Sequence, residues 1–277
     1  MNRLKLALGL TLCLSSLTWS SLSATAQGVE SEVSTTKKTL QFIQESLSTQ
    51  NQPDLTRRGT PGPGRREGAG SRGCPPVEKP LTALVPITKN SQNIEYVLGT
   101  TTAEYPTFWF YVPYKLTPES KVMFVLTDDQ SNEIYTVTGL IVKGTTPGII
   151  SLHPTKFSLK VGRNYQWYFY VDCNPTDSSE SNEKVVVNGW VQRFPLQETP
   201  SGTALEQAVA YGRKGMWYDA LTIVGEQLRA NPQDTRIKAK WTGLLQAIGL
   251  GNIPSESLQE LKVEIEDSQK ATGKPTP

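Results

Sequence analysis

One stretch constrains this chain more than any other: Thr107-Phe108-Trp109-Phe110-Tyr111-Val112-Pro113. Four consecutive aromatics and a valine sit between Pro106 and Pro113, at the length of one β-strand. Strand alternation places Phe108, Phe110 and Val112 on one face and Trp109 and Tyr111 on the other. Both faces are apolar, so neither belongs against water. Neighbouring strands supply one cover. The second cover is either a later part of the chain or a ligand, and that choice is the central functional question.

Strand-like runs recur around this stretch at 81–85, 94–98, 107–112, 121–127, 134–142, 149–152, 165–171 and 184–194. Turn residues separate them, as in Asp128-Asp129-Gln130-Ser131-Asn132, Pro147-Gly148 and Gly162-Arg163-Asn164. No pattern of helical period interrupts the series, so the expected architecture is an antiparallel β-sandwich of immunoglobulin-like kind. In the run 165–171, Tyr165, Trp167, Phe169 and Val171 share the expected core face. Tyr168 and Tyr170 point outward, as Trp109 and Tyr111 do. These four rings are the candidate surface. They form either a platform for sugar rings or a core beneath another layer.

That other layer is available downstream. After Pro200-Ser201-Gly202 the apolar period becomes helical, from Thr203 through Ile248. Tyr211, Gly215, Trp217, Ala220, Leu221 and Pro232 fall where a tetratricopeptide-type helical hairpin places its bulky, small and terminating residues. A single such unit cannot bury its apolar face alone. It is expected to dock on the sandwich with Trp217, Leu221 and Trp241 buried. The overall class is then α+β. Beyond Pro254, the spacing of Leu258, Leu261 and Ile265 suggests a weak, charged helix.

The chain begins with Arg3 and Lys5, an apolar run over 6–14 and the small residues Ala24-Thr25-Ala26, the pattern of a cleaved export signal. Removing Arg3 and Lys5 takes the formal net charge from +2 to about zero. A near-neutral chain gives no electrostatic case for nucleic acid as a partner. No later apolar stretch reaches membrane-spanning length. Cys74 and Cys173 remain after cleavage, an even number in an exported chain, and are expected to form a disulfide. Between the signal and Cys74 lies a Gly-, Pro- and Arg-rich stretch expected to be an extended linker. Its Arg57, Arg58, Arg65, Arg66 and Arg72 are candidate anion contacts. The expected organisation is a signal peptide at 1–26, a disordered linker at 27–76, the sandwich at 77–199, a docked helical region at 200–252 and a charged tail at 253–277.

Catalytic chemistry is poorly supplied. His153 is the sole histidine, which leaves little for a Ser-His-Asp triad or a metal-histidine cluster. Asp128, Asp129 and Glu133 miss the spacing of an EF-hand and read as a hairpin loop. No catalytic residue, metal ligand or cofactor is assigned. A spatial pair of carboxylates, as glycoside hydrolysis uses, leaves no mark in a sequence.

Six motifs occur in order: Arg65-Arg66-Glu67-Gly68-Ala69-Gly70-Ser71-Arg72-Gly73-Cys74, Leu81-Thr82-Ala83-Leu84-Val85-Pro86, the 106–114 stretch, Pro147-Gly148-Ile149-Ile150-Ser151-Leu152, Gly189-Trp190-Val191-Gln192-Arg193 and Gly215-Met216-Trp217-Tyr218-Asp219-Ala220. Together they resemble a cyanobacterial family of exported proteins catalogued as a domain of unknown function. The resemblance spans about 57–250. It implies export and no activity. The expected function is a non-enzymatic interaction module of the periplasm or the secreted space, with an envelope protein or polysaccharide as partner. A carbohydrate-binding module is the first alternative and a hydrolase with a carboxylate pair the second.

Overall fold

The computed structural model describes residues 63–69, 74–89, 93–116, 120–138, 147–173, 184–253 and 256–259. The expected signal peptide and Arg57, Arg58 and Arg72 lie outside the described residues. The elements run β1 (Thr82–Ala83), β2 (Ile87–Lys89), β3 (Glu95–Thr101), β4 (Phe108–Val112), β5 (Lys121–Thr127), β6 (Glu133–Val137), β7 (Gly148–Leu152), β8 (Asn164–Asp172), β9 (Val185–Arg193), α1 (Ala204–Arg213), α2 (Trp217–Ala230), α3 (Thr235–Ala247) and β10 (Leu258–Gln259). The class is mixed α+β.

The strands form two sheets, one ordered β1-β4-β7-β10 and the other β2-β3-β9-β8-β5-β6. The central aromatic strand β4 lies in the smaller sheet. Phe108 and Phe110 face the larger sheet, where Phe108 meets Phe124 at 4.9 Å and Phe110 stacks on Phe169 at 4.0 Å between ring centroids. Trp167 closes the group, 5.7 Å from Phe110. Strand alternation therefore delivers Phe108 and Phe110 from one side and Trp167 and Phe169 from the other into one apolar layer.

Three expectations need correction. The sheets are not wholly antiparallel: β3 pairs with β9, and β10 with β7, in parallel. Residues 63–69 are not a free linker. The Arg65 backbone exchanges hydrogen bonds with Asn188 of β9, and the next residues bond to Leu81 and Ala83 beside and within β1. This segment pairs with both sheets, so its polar backbone is satisfied without apolar side chains of its own. Leu258 begins a strand rather than a helix, because its partner Ile149 offers a free ladder edge.

The helices are set by local signals. Thr203 and Glu206 form a reciprocal capping box at the start of α1, and Asp234 caps α3 by accepting from Arg236 and Ile237 backbone N–H groups. Helix α2 begins between the sheets. Trp217 donates its indole N–H to the Leu84 carbonyl at 2.8 Å. Tyr218 enters the inter-sheet layer, edge-on to Phe108 at 5.1 Å. Gly99 makes room for it, since a Cβ there would lie 2.4 Å from the Tyr218 ring.

Candidate functional site

The four candidate rings do not make one surface. Trp109 and Tyr111 belong to β4 in the smaller sheet, and Tyr168 and Tyr170 to β8 in the larger one. Each pair points away from the inter-sheet layer, on opposite outer faces.

The outer face of the smaller sheet is covered by helices. Trp109 is fully buried. Its indole N–H donates to the Thr222 hydroxyl of α2 at 3.1 Å, and its ring meets Trp241 of α3 edge-on at 5.6 Å. The Arg229 guanidinium lies 5.3 Å from the same ring centroid and donates to the Ser151 hydroxyl on neighbouring β7 at 2.7 Å. Gly225 lets α2 approach: a Cβ there would stand 2.5 Å from the Trp109 ring. Tyr111 is buried too, beside an ion pair between Lys79 and Glu256. Burial raises its phenol pKa, and the Glu256 charge adds to the effect.

The outer face of the larger sheet differs. Tyr168 and Tyr170 are half-buried, and their rings lie nearly parallel, 14° apart, with centroids at 6.1 Å. Strand register places Val125 and Asn188 on either side of Tyr168, and Met123 and Val186 on either side of Tyr170. Lys121 stands opposite Asp172, the next outward residue along β8. Lys184 directly precedes Val185, the partner of Val171. A cavity of about 270 Å³ opens here, lined by Tyr170, Met123, Lys121, Asp172, Lys184 and Thr138 among others. Desolvation raises the pKa of both phenols, with Tyr168 and Glu133 adding to the effect at Tyr170. On the β3–β9 side of this face, Tyr96, Leu98 and Trp190 form a buried cluster.

The described arginines have separate fates. Arg66 donates to the Ile248 carbonyl at 2.7 Å, placing a cation at the C-terminal end of α3, where the helix dipole favours it. Burial lowers its pKa, with Glu67 acting in the opposite sense. Arg65 joins the ladder through its backbone and leaves its side chain exposed. Cys74 and Cys173 form a disulfide across 99 positions, the pairing expected in an oxidising compartment. Cys173 follows Asp172, so the crosslink anchors the rim of the cavity.

Asp219, at the start of α2, accepts from the Thr102 backbone N–H at 3.0 Å and the Thr102 hydroxyl at 2.5 Å. Burial raises its pKa against these bonds. Arg193 holds the same corner by donating to the Thr102 and Leu159 carbonyls. The cluster locks α2 to the end of β3. His153 meets the Thr107 hydroxyl at 3.1 Å.

Sequence reasoning passed over Thr222, Gly225 and Arg229, the residues that receive Trp109. Gly225 carried a signal, because glycine inside a helix is unfavourable unless something must come close. It also passed over Lys121, Asp172 and Lys184. Their convergence depends on register and has no linear signature. Among the described residues no helix is long and apolar enough to cross a membrane. The chain matches no curated protein sequence. The family described as Domain of Unknown Function (DUF928) matches residues 67–258, well over half of the chain and nearly all of the two sheets and three helices, and the chain belongs to that family.

Proposed function

We propose that this protein is an exported, non-enzymatic interaction module of the periplasm or the secreted space, working through the outer face of its larger sheet. The observation that carries the reading is the contrast between the two outer faces. Helices α2 and α3 bury Trp109, whereas the Tyr168–Tyr170 pair stays half-exposed beside a cavity. Partly exposed aromatics on a rigid strand are a common anchor for recognition. Export is supported by the basic, apolar and small-residue pattern of the first residues together with the disulfide. The two sheets are read as an elaborated immunoglobulin-like sandwich. Helices α1 and α2 are read as a single tetratricopeptide-type unit used as a cover rather than as a recognition surface. A hydrolase reading draws less support: Asp219, a buried carboxylate with raised pKa, is engaged by Thr102 in holding α2.

Affinity capture from envelope extracts tests the proposal. The mature protein is expected to retain a protein or polymer, and Tyr168→Ala/Tyr170→Ala to release it. Retention of nothing, or retention indifferent to the double substitution, contradicts the proposal.

A further inference from the structure

We infer that the open face binds an anionic polysaccharide, with sugar rings laid over Tyr168 and Tyr170 and carboxylate or sulfate groups directed to Lys121 and Lys184. The inference rests on the reading of that face as the working surface and names its ligand class.

The paired rings favour a flat, amphipathic ligand. They are nearly parallel and held on consecutive outward positions of one strand, so little conformational freedom is lost on binding. Each offers an apolar, electron-rich face and a hydroxyl at its tip. A sugar ring is the matching object, with C–H groups on its faces and hydroxyls round its edge. Asn188 lies beside Tyr168 in the register and supplies a side-chain amide that both donates and accepts, as sugar hydroxyls require. Two rings are a small target against the roughly 800 Å² that each partner buries in a standard protein interface. That scale favours a narrow chain over a protein surface.

The cavity supplies the charge preference. At about 270 Å³ it lies just below the span of roughly 300–1,000 Å³ typical of small-molecule pockets. It therefore takes one ring or a ring substituent, not a whole oligomer. Two lysines and one aspartate line it, and the Glu133 carboxylate also acts on Tyr170, so the preference for anions rests on the two ammonium groups themselves and not on a net positive charge. Lysine ammonium groups on flexible stems suit a substituent whose position varies along a polymer. Carboxylate and sulfate share the required chemistry.

Affinity electrophoresis of the full mature chain at physiological salt tests this, using gels containing dextran, dextran sulfate, alginate or polyglutamate. Dextran and dextran sulfate share a backbone and differ in charge. Alginate carries carboxylates, and polyglutamate carries charge without sugar. Retardation is expected with dextran sulfate or alginate, and not with polyglutamate. Tyr168→Ala/Tyr170→Ala is expected to weaken it by about tenfold or more. Tyr168→Phe/Tyr170→Phe, which keeps the rings, should retain most of it. Lys121→Gln/Lys184→Gln should remove the preference for dextran sulfate over dextran. The lysine and phenylalanine variants decide the matter if the alanine variant does not fold. Absence of retardation by both anionic polysaccharides overturns the inference, as does equal retardation by polyglutamate or indifference to the lysine substitutions. If the rings capture an envelope protein but no polysaccharide, this inference fails and the broader proposal stands. If they capture neither, both fail.

Discussion

Trp109 and Tyr111 on β4, and Tyr168 and Tyr170 on β8, are the same local arrangement: two aromatics at alternate positions, directed away from the inter-sheet layer. Their surroundings are opposite. Trp109 is buried beneath helices and Tyr111 beside Lys79 and Glu256, whereas the second pair stacks upon itself and stays half-buried. The difference is made far away in the sequence, by Thr222, Gly225, Arg229 and Trp241. An aromatic row on a strand thus states only that a cover is needed. The rest of the chain determines whether that cover is structural or remains open to a ligand.

Removing the helices is the harshest way to break the contrast. A chain ended near Pro200 exposes the Trp109 face and also takes Tyr218 out of the layer between the sheets. Each large side chain returned to water costs about 1.5–3 kcal/mol, against a total stability of about 5–15 kcal/mol. Size-exclusion chromatography and thermal melting are expected to show an aggregated or unfolded product. A monomer with the melting temperature of the chain that keeps its helices means that the helices are not needed as a cover.

Single substitutions sharpen the comparison. Trp109→Ala is expected to cost about 3–5 kcal/mol in urea unfolding, as removal of a fully buried tryptophan does. Tyr168→Ala is expected to cost about 1 kcal/mol or less, the value of a half-exposed stacked ring. Equal costs would erase the distinction between the faces. Gly225→Ala probes the covered face from the helix side. Alanine gains about 1 kcal/mol of helix propensity, but its Cβ collides with the Trp109 ring, and overpacking costs about 1–3 kcal/mol. A lower urea midpoint at constant slope is expected, whereas a raised midpoint means the ring has room.

The smallest expected effect comes from Asp219. Burial raises its folded pKa above the ordinary 3.8, so the folded state holds the proton more tightly than the unfolded chain. Its contribution to stability is fully present below that ordinary value and is lost as pH rises through the raised folded pKa. Asp219→Asn is expected to flatten this part of the stability–pH curve by removing the titration. An unchanged slope between mildly acidic and neutral pH contradicts the assignment.

Period and composition carried much of the architecture. The 121–127 run coincides with β5, because a short continuous apolar run, too short for a helix, ends at the turn residues 128–132. Trp217, Leu221 and Trp241 are buried on the helices that the 3.6-residue period marks. Partner choice was less legible. The parallel pairing of β3 with β9 joins residues more than 90 positions apart, and Arg66 reaches Ile248 across 182 positions. Neither leaves a local pattern, because each depends on the finished fold. Composition suggested disorder for the Arg/Gly segment, since apolar burial could not order it. Backbone pairing with β9 and β1 orders residues 63–69 instead. The open face shows the same limit: Tyr168 and Tyr170 announce themselves, while Lys121 and Lys184 meet only through strand register.

The central claim is that helices bury Trp109 while Tyr168 and Tyr170 stay half-buried on the other outer face. Oxidative footprinting of the folded protein, read by mass spectrometry at each ring, measures this directly. Tyr168 and Tyr170 are expected to be modified readily, with Trp109 and Tyr111 protected until the protein is unfolded. Modification of Trp109 at the rate of Tyr170, or protection of all four rings alike, contradicts the account.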